Sequence, residues 1–306
     1  MSVLVAITGR DNTKLIAKMQ SQLPNIQIEQ LDDCQDFASV EFVLAWNAPA
    51  SLWLKLINLK AVSSFGAGVD SIDLSLLPAH VEVVRIVDKQ LANDMAEYVL
   101  THVLAQKLRL KEYFLKQQQS EWKPKRAYKH NQVSILGFGE LGQACAYRLA
   151  NNGFKVSAWS RSPKISTIAT HYHGDDGLTQ MLEQTDYLIC LLPLTSNTKG
   201  IINQQLLKQL PEHAVLINVA RGEHVVEADL LDVLNNARLR AATLDVFASE
   251  PLPSEHPYWQ HPNITLTPHC AALSDLDSVI EQIAGNILRL QAKQPLHNSI
   301  NKIQGY

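Results

Sequence analysis

The chain has 306 residues, 46% of them hydrophobic and 19% charged. That length favours two domains over one core, and the balance excludes disordered and fibrous classes. A net charge of -3 offers no basic field to a nucleic-acid backbone, so small-molecule partners lead.

In chain order, short β-rich runs occur at Val3 to Thr8, Phe42 to Trp46, Ala61 to Phe65 and Val81 to Val87, separated by helical spacing or turn residues, which predicts a small parallel α/β unit. Asp94 with Glu97 three positions on is a helix-start signal. Apolar residues follow at Met95, Val99, Val103, Leu104 and Leu108. Tyr98, Leu100, Leu110, Tyr113 and Phe114 widen this stripe beyond one core-facing arc, so the helix is expected to pack on a second domain or a second subunit. The basic stretch from Lys107 to His130, with Pro124, reads as a surface crossing between domains.

From Gln132 the rhythm becomes strand then helix, with strands at Val133 to Leu136, Lys155 to Ser160, Tyr187 to Leu192, Ala214 to Val219, Arg240 to Val246 and Ile264 to Thr267. Six such strands fit a doubly wound sheet. A last helix, Ser274 to Gln291, carries Val279, Ile283, Ile287 and Leu290 at helical spacing and is expected to return to the first domain. Cys34, Cys145, Cys190 and Cys270 lack Cys-x-x-Cys spacing and are read as buried small hydrophobes, with neither disulfides nor zinc expected. The absence of a basic leader and of any apolar run of membrane-spanning length points to no membrane partner and a cytoplasmic setting.

Gly137-Phe138-Gly139-Glu140-Leu141-Gly142 ends a predicted strand and opens a predicted helix. Gly137 permits the tight turn, Gly139 the approach of a pyrophosphate and Gly142 close helix-strand packing, with the phosphates at the helix N-terminus. At the end of the next strand, where an NAD site places a carboxylate for the ribose 2′-hydroxyl, stands Trp159-Ser160-Arg161-Ser162. Ser160 and Ser162 can donate to a 2′-phosphate and Arg161 can pair with it. NADPH is therefore the preferred cofactor, with NADH as the lesser one.

Three further segments follow later strands: Asn218-Val219-Ala220-Arg221-Gly222, Leu244-Asp245-Val246-Phe247-Ala248-Ser249-Glu250-Pro251-Leu252 and Thr267-Pro268-His269. Alone, Arg221 could be a surface ion-pair partner, Glu250 a solvated acid and His269 a helix-entry histidine. Together, at three strand ends of one sheet, they supply what hydride transfer to a 2-oxo acid demands. In this order after the glycine loop they resemble the D-isomer-specific 2-hydroxyacid dehydrogenase family over nearly the whole chain. Ser160-Arg161, Leu191-Leu192-Pro193, Asp245 to Leu252 with Pro253, and Gly305-Tyr306 most resemble its bacterial branch that reduces glyoxylate and hydroxypyruvate.

The resemblance implies two doubly wound parallel-sheet domains: a Rossmann nucleotide domain over 98–270, inserted into a smaller flavodoxin-like substrate domain formed by 1–97 and 271–306. It also implies that Arg221 binds the carboxylate of a small 2-oxo acid and polarises its carbonyl, that His269 gives the proton, and that Glu250 orients and charges His269. Val219, Ala220, Arg221, Asp245 and His269 would then border the cofactor, Asp245 on its nicotinamide side. Leu192 and Pro193 would line its adenine or ribose side. Phe65-Gly66-Ala67-Gly68-Val69-Asp70 is similar to the family loop whose amides hold the carboxylate, placing Ala67 and Gly68 at the substrate, and Trp46 is assigned to the pocket wall.

Two other classes compete: a family relative acting oxidatively, for which no additional phosphate site is visible, and a dinucleotide-sensing interaction protein on the same fold. A homodimer is expected from the wide apolar helix and the resemblance. No metal is expected, because His171, His173, Asp175 and Asp176 form no convincing ligand set.

Overall fold

The β-rich runs of the first 90 residues pair in parallel, as strands covered on both faces do. In the computed structural model, which describes residues 1–303, they are β1 (Ser2–Ile7), β3 (Val40–Trp46), β4 (Ala61–Ser64) and β5 (Glu82–Val84), joined by β2 (Gln27–Gln30) in the order β2-β1-β3-β4-β5. This is the flavodoxin-type order. Helix α1 (Thr13–Gln22) and the final helix α8 (Leu276–Gln291) bury Leu15, Met19, Val279, Ile280, Ile283 and Ile287 against Val3, Val5 and Phe42. The opposite face of the sheet packs Leu4, Val43 and Val62 against Leu52, Trp53 and Leu56. Gly305 and Tyr306, which contributed to the sequence resemblance, lie outside the described residues.

The second unit holds a seven-stranded parallel sheet in the order β12-β11-β10-β9-β6-β7-β8. The six expected strands are β6 (Gln132–Leu136), β7 (Lys155–Ser160), β9 (Tyr187–Cys190), β10 (Val215–Asn218), β11 (Ala241–Leu244) and β12 (Ile264–Leu266). The added edge strand β8 (Thr170–His173) had been read as loop because its sequence, Thr-His-Tyr-His, has no apolar alternation. The sheet grows one way from β6 through β7 and the other way through β9, so a topological switch point lies at the adjacent ends of β6 and β9, where doubly wound sheets bind ligands.

Two expectations about the connecting region are corrected. Helix α2 (Lys89–Lys107) begins five residues before Asp94, with the Asp88 carboxylate accepting from the Gln90 amide at 2.8 Å. The helix does not run on past Leu108: Arg109 turns left-handed at φ 63°, and a separate helix α3 (Leu110–Gln118) follows. Two compact units comprise 1–90 with residues from 274, and 91–273. Met95, Ala96 and Ala271 share a core with Val133 and Ile135 of β6. Tyr98, Leu100 and Leu104 rest on that same core, whereas Leu108, Leu110, Phe114 and Leu115 stay exposed.

Candidate active site

The glycine loop leaves β6 at the switch point and opens helix α4 (Glu140–Asn151). Gly137 has φ 100° and sits so close to β9 that a Cβ would lie 2.7 Å from the Leu191 carbonyl oxygen, while a Cβ on Gly142 would lie 2.1 Å from the Gly137 oxygen. Only glycine fits either position. Gly139 differs, because nothing lies within 4 Å of the place its Cβ would occupy. It is the N-cap of α4 and, having no side chain, leaves the first helical amides without a cap from it, beside a backbone that an anion can approach. These features fit a dinucleotide pyrophosphate.

Phe138 is buried, and its carbonyl accepts from Lys164 Nζ at 2.7 Å. Lys164 thus ties the glycine loop to the segment after β7, a cation that the sequence reading missed. Ser160 Oγ lies 2.8 Å from His171 Nε2 and donates to the Ser162 carbonyl at 2.9 Å; Arg161 is exposed beside it. Burial lowers the pKa of His171, with help from the charges of His173 and Lys164, which keeps its ring neutral at pH 7. Across the switch point, Leu192 is buried, and Pro193 offers its carbonyl to Thr198 Oγ1 at 2.6 Å and to His224 Nε2 at 3.3 Å.

Arg221 follows β10. Its amide donates to His224 Nδ1 at 3.2 Å, and its carbonyl accepts from Asn218 Nδ2 at 2.9 Å. His224 is fully buried; its Nε2 lies 3.3 Å from the Pro193 carbonyl, and its Nδ1 lies 3.2 Å from the Arg221 amide and 3.1 Å from the Arg221 carbonyl. Burial lowers its pKa, which favours the neutral ring. Val219 and Ala220 are buried beneath Arg221. At Gly222 a Cβ would fall 1.9 Å from the Phe247 carbonyl carbon, so the loops after β10 and β11 meet backbone to backbone.

Glu250 and His269 arrive from the loops after β11 and β12 and pair, His269 Nδ1 to Glu250 Oε2 at 2.7 Å. The other carboxylate oxygen, Oε1, accepts from the Phe247 amide at 2.9 Å, which fixes the carboxylate. The hydrogen bond to Glu250 is the chief reason the His269 pKa stands above 6.5; burial opposes it, the charges of Glu250 and Asp245 support it, and that of Arg221 opposes it. Burial pushes the Glu250 carboxyl up, but the bonds from His269 and Phe247 and the charges of His269 and Arg221 outweigh it, leaving its pKa lowered. The guanidinium of Arg221 is therefore felt by both partners, and the three side chains expected to work together share one sheet edge. With Nδ1 held by Glu250, Nε2 is the nitrogen available to a substrate.

His269 adopts φ 51°, a left-handed conformation costing a non-glycine residue about 1–3 kcal/mol. Asp245 holds it there. Its carbonyl accepts from the His269 amide at 2.8 Å. Its carboxylate, 1% exposed, accepts from Thr267 Oγ1 at 2.6 Å and from the Cys270 and Ala271 amides at 2.9 Å each. Asp245 thus organises the His269 loop, and the nicotinamide-side role assigned to it from the sequence has only its remaining lone pairs to work with. Cys270, expected to be buried, is exposed, because it sits in the loop after β12, its amide bonded to Asp245, rather than in a strand or helix core.

The first unit carries Trp46, Ala67 and Gly68. Trp46 covers Gly66 so closely that a Cβ there would lie 2.8 Å from its ring. Ser64 Oγ donates to the Gly68 carbonyl at 2.5 Å and accepts from the Gly66 amide at 3.2 Å. The amides of Ala67 and Gly68 have no acceptor among the described residues, leaving donors for an anion. Ser64 was not singled out from the sequence, and the Arg10 guanidinium, 5.0 Å over the Phe65 ring, was not either.

Residues 100–271 match the family model described as D-isomer specific 2-hydroxyacid dehydrogenase, NAD binding domain. A glyoxylate/hydroxypyruvate reductase A of Yersinia enterocolitica is 40% identical over 299 residues, covering 95% of each chain, and that of Escherichia fergusonii is 39% identical over the full length of both. Among solved structures, an NADPH-dependent glyoxylate/hydroxypyruvate reductase of Sinorhizobium meliloti in complex with NADP and sulfate superposes with a TM-score of 0.91 at 34% identity, covering 100% of both chains. A family member from Xanthobacter autotrophicus in complex with NADPH and MES gives 0.92 at 32% identity, covering 100% of this chain and 99% of the other.

Proposed function

We propose that this chain, which belongs to the D-isomer specific 2-hydroxyacid dehydrogenase family, is an NADPH-linked reductase that converts glyoxylate to glycolate and hydroxypyruvate to D-glycerate. The observation that carries this reading is the 2.7 Å His269–Glu250 pair beside Arg221, at the same sheet edge as the glycine loop. NADPH, when bound, supplies a hydride to the carbonyl carbon of the 2-oxo acid. His269 gives the proton to the carbonyl oxygen from Nε2, while Glu250 holds Nδ1 and favours the imidazolium. Arg221 holds the substrate carboxylate in its planar fork and draws electron density from the adjacent carbonyl. Within the first unit, the Ala67 and Gly68 amides offer donors suited to a carboxylate, and Trp46 backs their loop.

The Arg221, Glu250 and His269 set favours an enzyme over a cofactor sensor. The test is NADPH consumption with glyoxylate, hydroxypyruvate and pyruvate. Turnover with the first two is expected; tight NADPH binding with no turnover across the panel would instead support the sensor.

Reduction consumes the protonated form of His269, and the folded pKa of that group lies above 6.5. The kcat/KM for reduction is therefore expected to be full at low pH and to fall as pH rises through this raised pKa. Glu250→Gln removes the carboxylate charge and should move that descending limb to lower pH. An unchanged limb in the variant would show that Glu250 does not charge His269.

Cofactor choice rests on Ser160, Arg161 and Ser162, with Lys164 beside the glycine loop. Arg161→Ala combined with Lys164→Ala should reduce the NADPH-over-NADH ratio of kcat/KM by roughly 10- to 100-fold, the worth of one or two charge-assisted bonds to a 2′-phosphate. The reading also includes a homodimer, supported by the exposed Leu108, Leu110, Phe114 and Leu115 around α3, and sedimentation tests it. No helix among the described residues is long and apolar enough to cross a membrane. The exposed thiol of Cys270 suits the reducing cytoplasm assigned to the protein.

A further inference from the structure

The end of the second sheet opposite the glycine loop carries a cluster that the mechanism does not use. Asp186 stands just before β9, His213 just before β10, and His130 at the close of the irregular segment that leads into β6. One carboxylate oxygen, Asp186 Oδ1, lies 2.7 Å from His213 Nε2 and 3.2 Å from His130 Nδ1, and one ligand atom from each of the three residues lies within 4.8 Å of the other two. The second oxygen, Oδ2, accepts from the Asn131 and Gln132 amides at 2.8 Å each, which fixes the carboxylate and aims Oδ1 at the two rings. The imidazoles stack at 3.9 Å with planes 9° apart, so both present a nitrogen to the same oxygen.

We propose that His130, Asp186 and His213 form a binding site for one divalent transition-metal ion, with water completing its coordination. Two imidazole nitrogens and one carboxylate oxygen are the donor set of zinc, nickel, cobalt or copper rather than of magnesium or calcium. The 2.7 and 3.2 Å spacings are close to the separations between neighbouring ligand atoms when each is about 2.0–2.1 Å from a common ion. Bringing an ion into both ring planes requires the stack to open by rotation about the Cβ–Cγ bonds, a broad torsion at side chains 31% and 39% exposed. The backbone amides on Oδ2 act as the outer partners that orient a ligating carboxylate. The ion would tie the end of the irregular segment to the start of two central strands. It lies the length of a four- or five-residue strand, about 15 Å, from the edge that carries the glycine loop and His269. Its effect is therefore on stability, not on turnover.

Untagged protein is dialysed at pH 7.5 against zinc chloride, and in parallel nickel chloride, and the bound metal is counted. The expected result is one equivalent per chain and a rise in Tm of about 2–4 °C or more. His213→Ala and His130→Gln should each lose both effects while keeping NADPH-dependent turnover. His269→Ala, which removes the imidazole of the catalytic edge, should keep the bound equivalent, and acidification should release it, because protons compete with a metal for its ligands. Absence of saturable binding below about 1 mM, or an equivalent retained in both His213→Ala and His130→Gln, would overturn the assignment.

Discussion

Replacing His269 with alanine is expected to lower kcat for glyoxylate reduction by about 100- to 10,000-fold, the usual worth of a positioned general acid. NADPH binding should be unaffected. The loss is large because no neighbour among the described residues can substitute: among them Glu250 is the only carboxylate bonded to the ring, and its pKa is held below its ordinary value, so it carries no proton to give near neutrality. His269 is placed by its backbone as much as by its side chain. The left-handed φ of 51° is maintained by bonds from the loop to Asp245, and these survive truncation of the ring. The variant should therefore fold with a Tm at or near that of the parent, separating lost chemistry from lost structure. Wild-type rates in folded His269→Ala would remove this residue from the mechanism.

Arg221→Ala should reduce kcat/KM by about 100- to 1,000-fold, with KM rising and kcat falling together, because one guanidinium both binds the carboxylate and polarises the carbonyl. Arg221→Lys should restore only part of this, since an ammonium lacks the planar fork. Much of the scaffold around the position is held through backbone: Asn218 and His224 bind the backbone of Arg221 and Gly222 provides the contact with the Phe247 backbone, whereas the side chain's bond from Nη1 to the Ala220 carbonyl, at 2.7 Å, is lost in the variant. Steady-state kinetics across glyoxylate concentrations distinguish the outcomes. A rise in KM alone, with kcat intact, would confine Arg221 to binding.

The sequence reading was strongest where backbone geometry restricts residue type. Gly137 and Gly142 tolerate no Cβ, and the apolar runs of β6, β9, β10 and β11 are buried on both faces, so motif and strands were legible together. It was weakest where tertiary pairing supplies the stability. Edge strands β2 and β8 are Gln-Ile-Glu-Gln and Thr-His-Tyr-His, patterns that only an adjacent strand turns into a sheet. The start of α2 was missed because Asp94 and Glu97 resemble a capping pair, while the helix in fact opens beside Asp88. Arg221, Glu250 and His269 could be grouped as candidates because each follows a strand of one parallel sheet. Lys164, Ser64 and His224 act by hydrogen bonds to loop backbone, which leave no motif. The His130, Asp186 and His213 cluster was invisible for a related reason: its members are 27 and 56 residues apart, whereas the sequence search was drawn to the adjacent pair His171 and His173.

The central claim is that Arg221 and His269 act on the two ends of one 2-oxo acid. A crystal structure of the protein with NADP and the unreactive substrate mimic oxamate tests it most directly. The expected result is the oxamate carboxylate in the fork of Arg221 and its carbonyl oxygen within hydrogen-bond reach, about 2.6–3.2 Å, of His269 Nε2. Oxamate bound away from both side chains, with NADP in place at the glycine loop, would contradict the account.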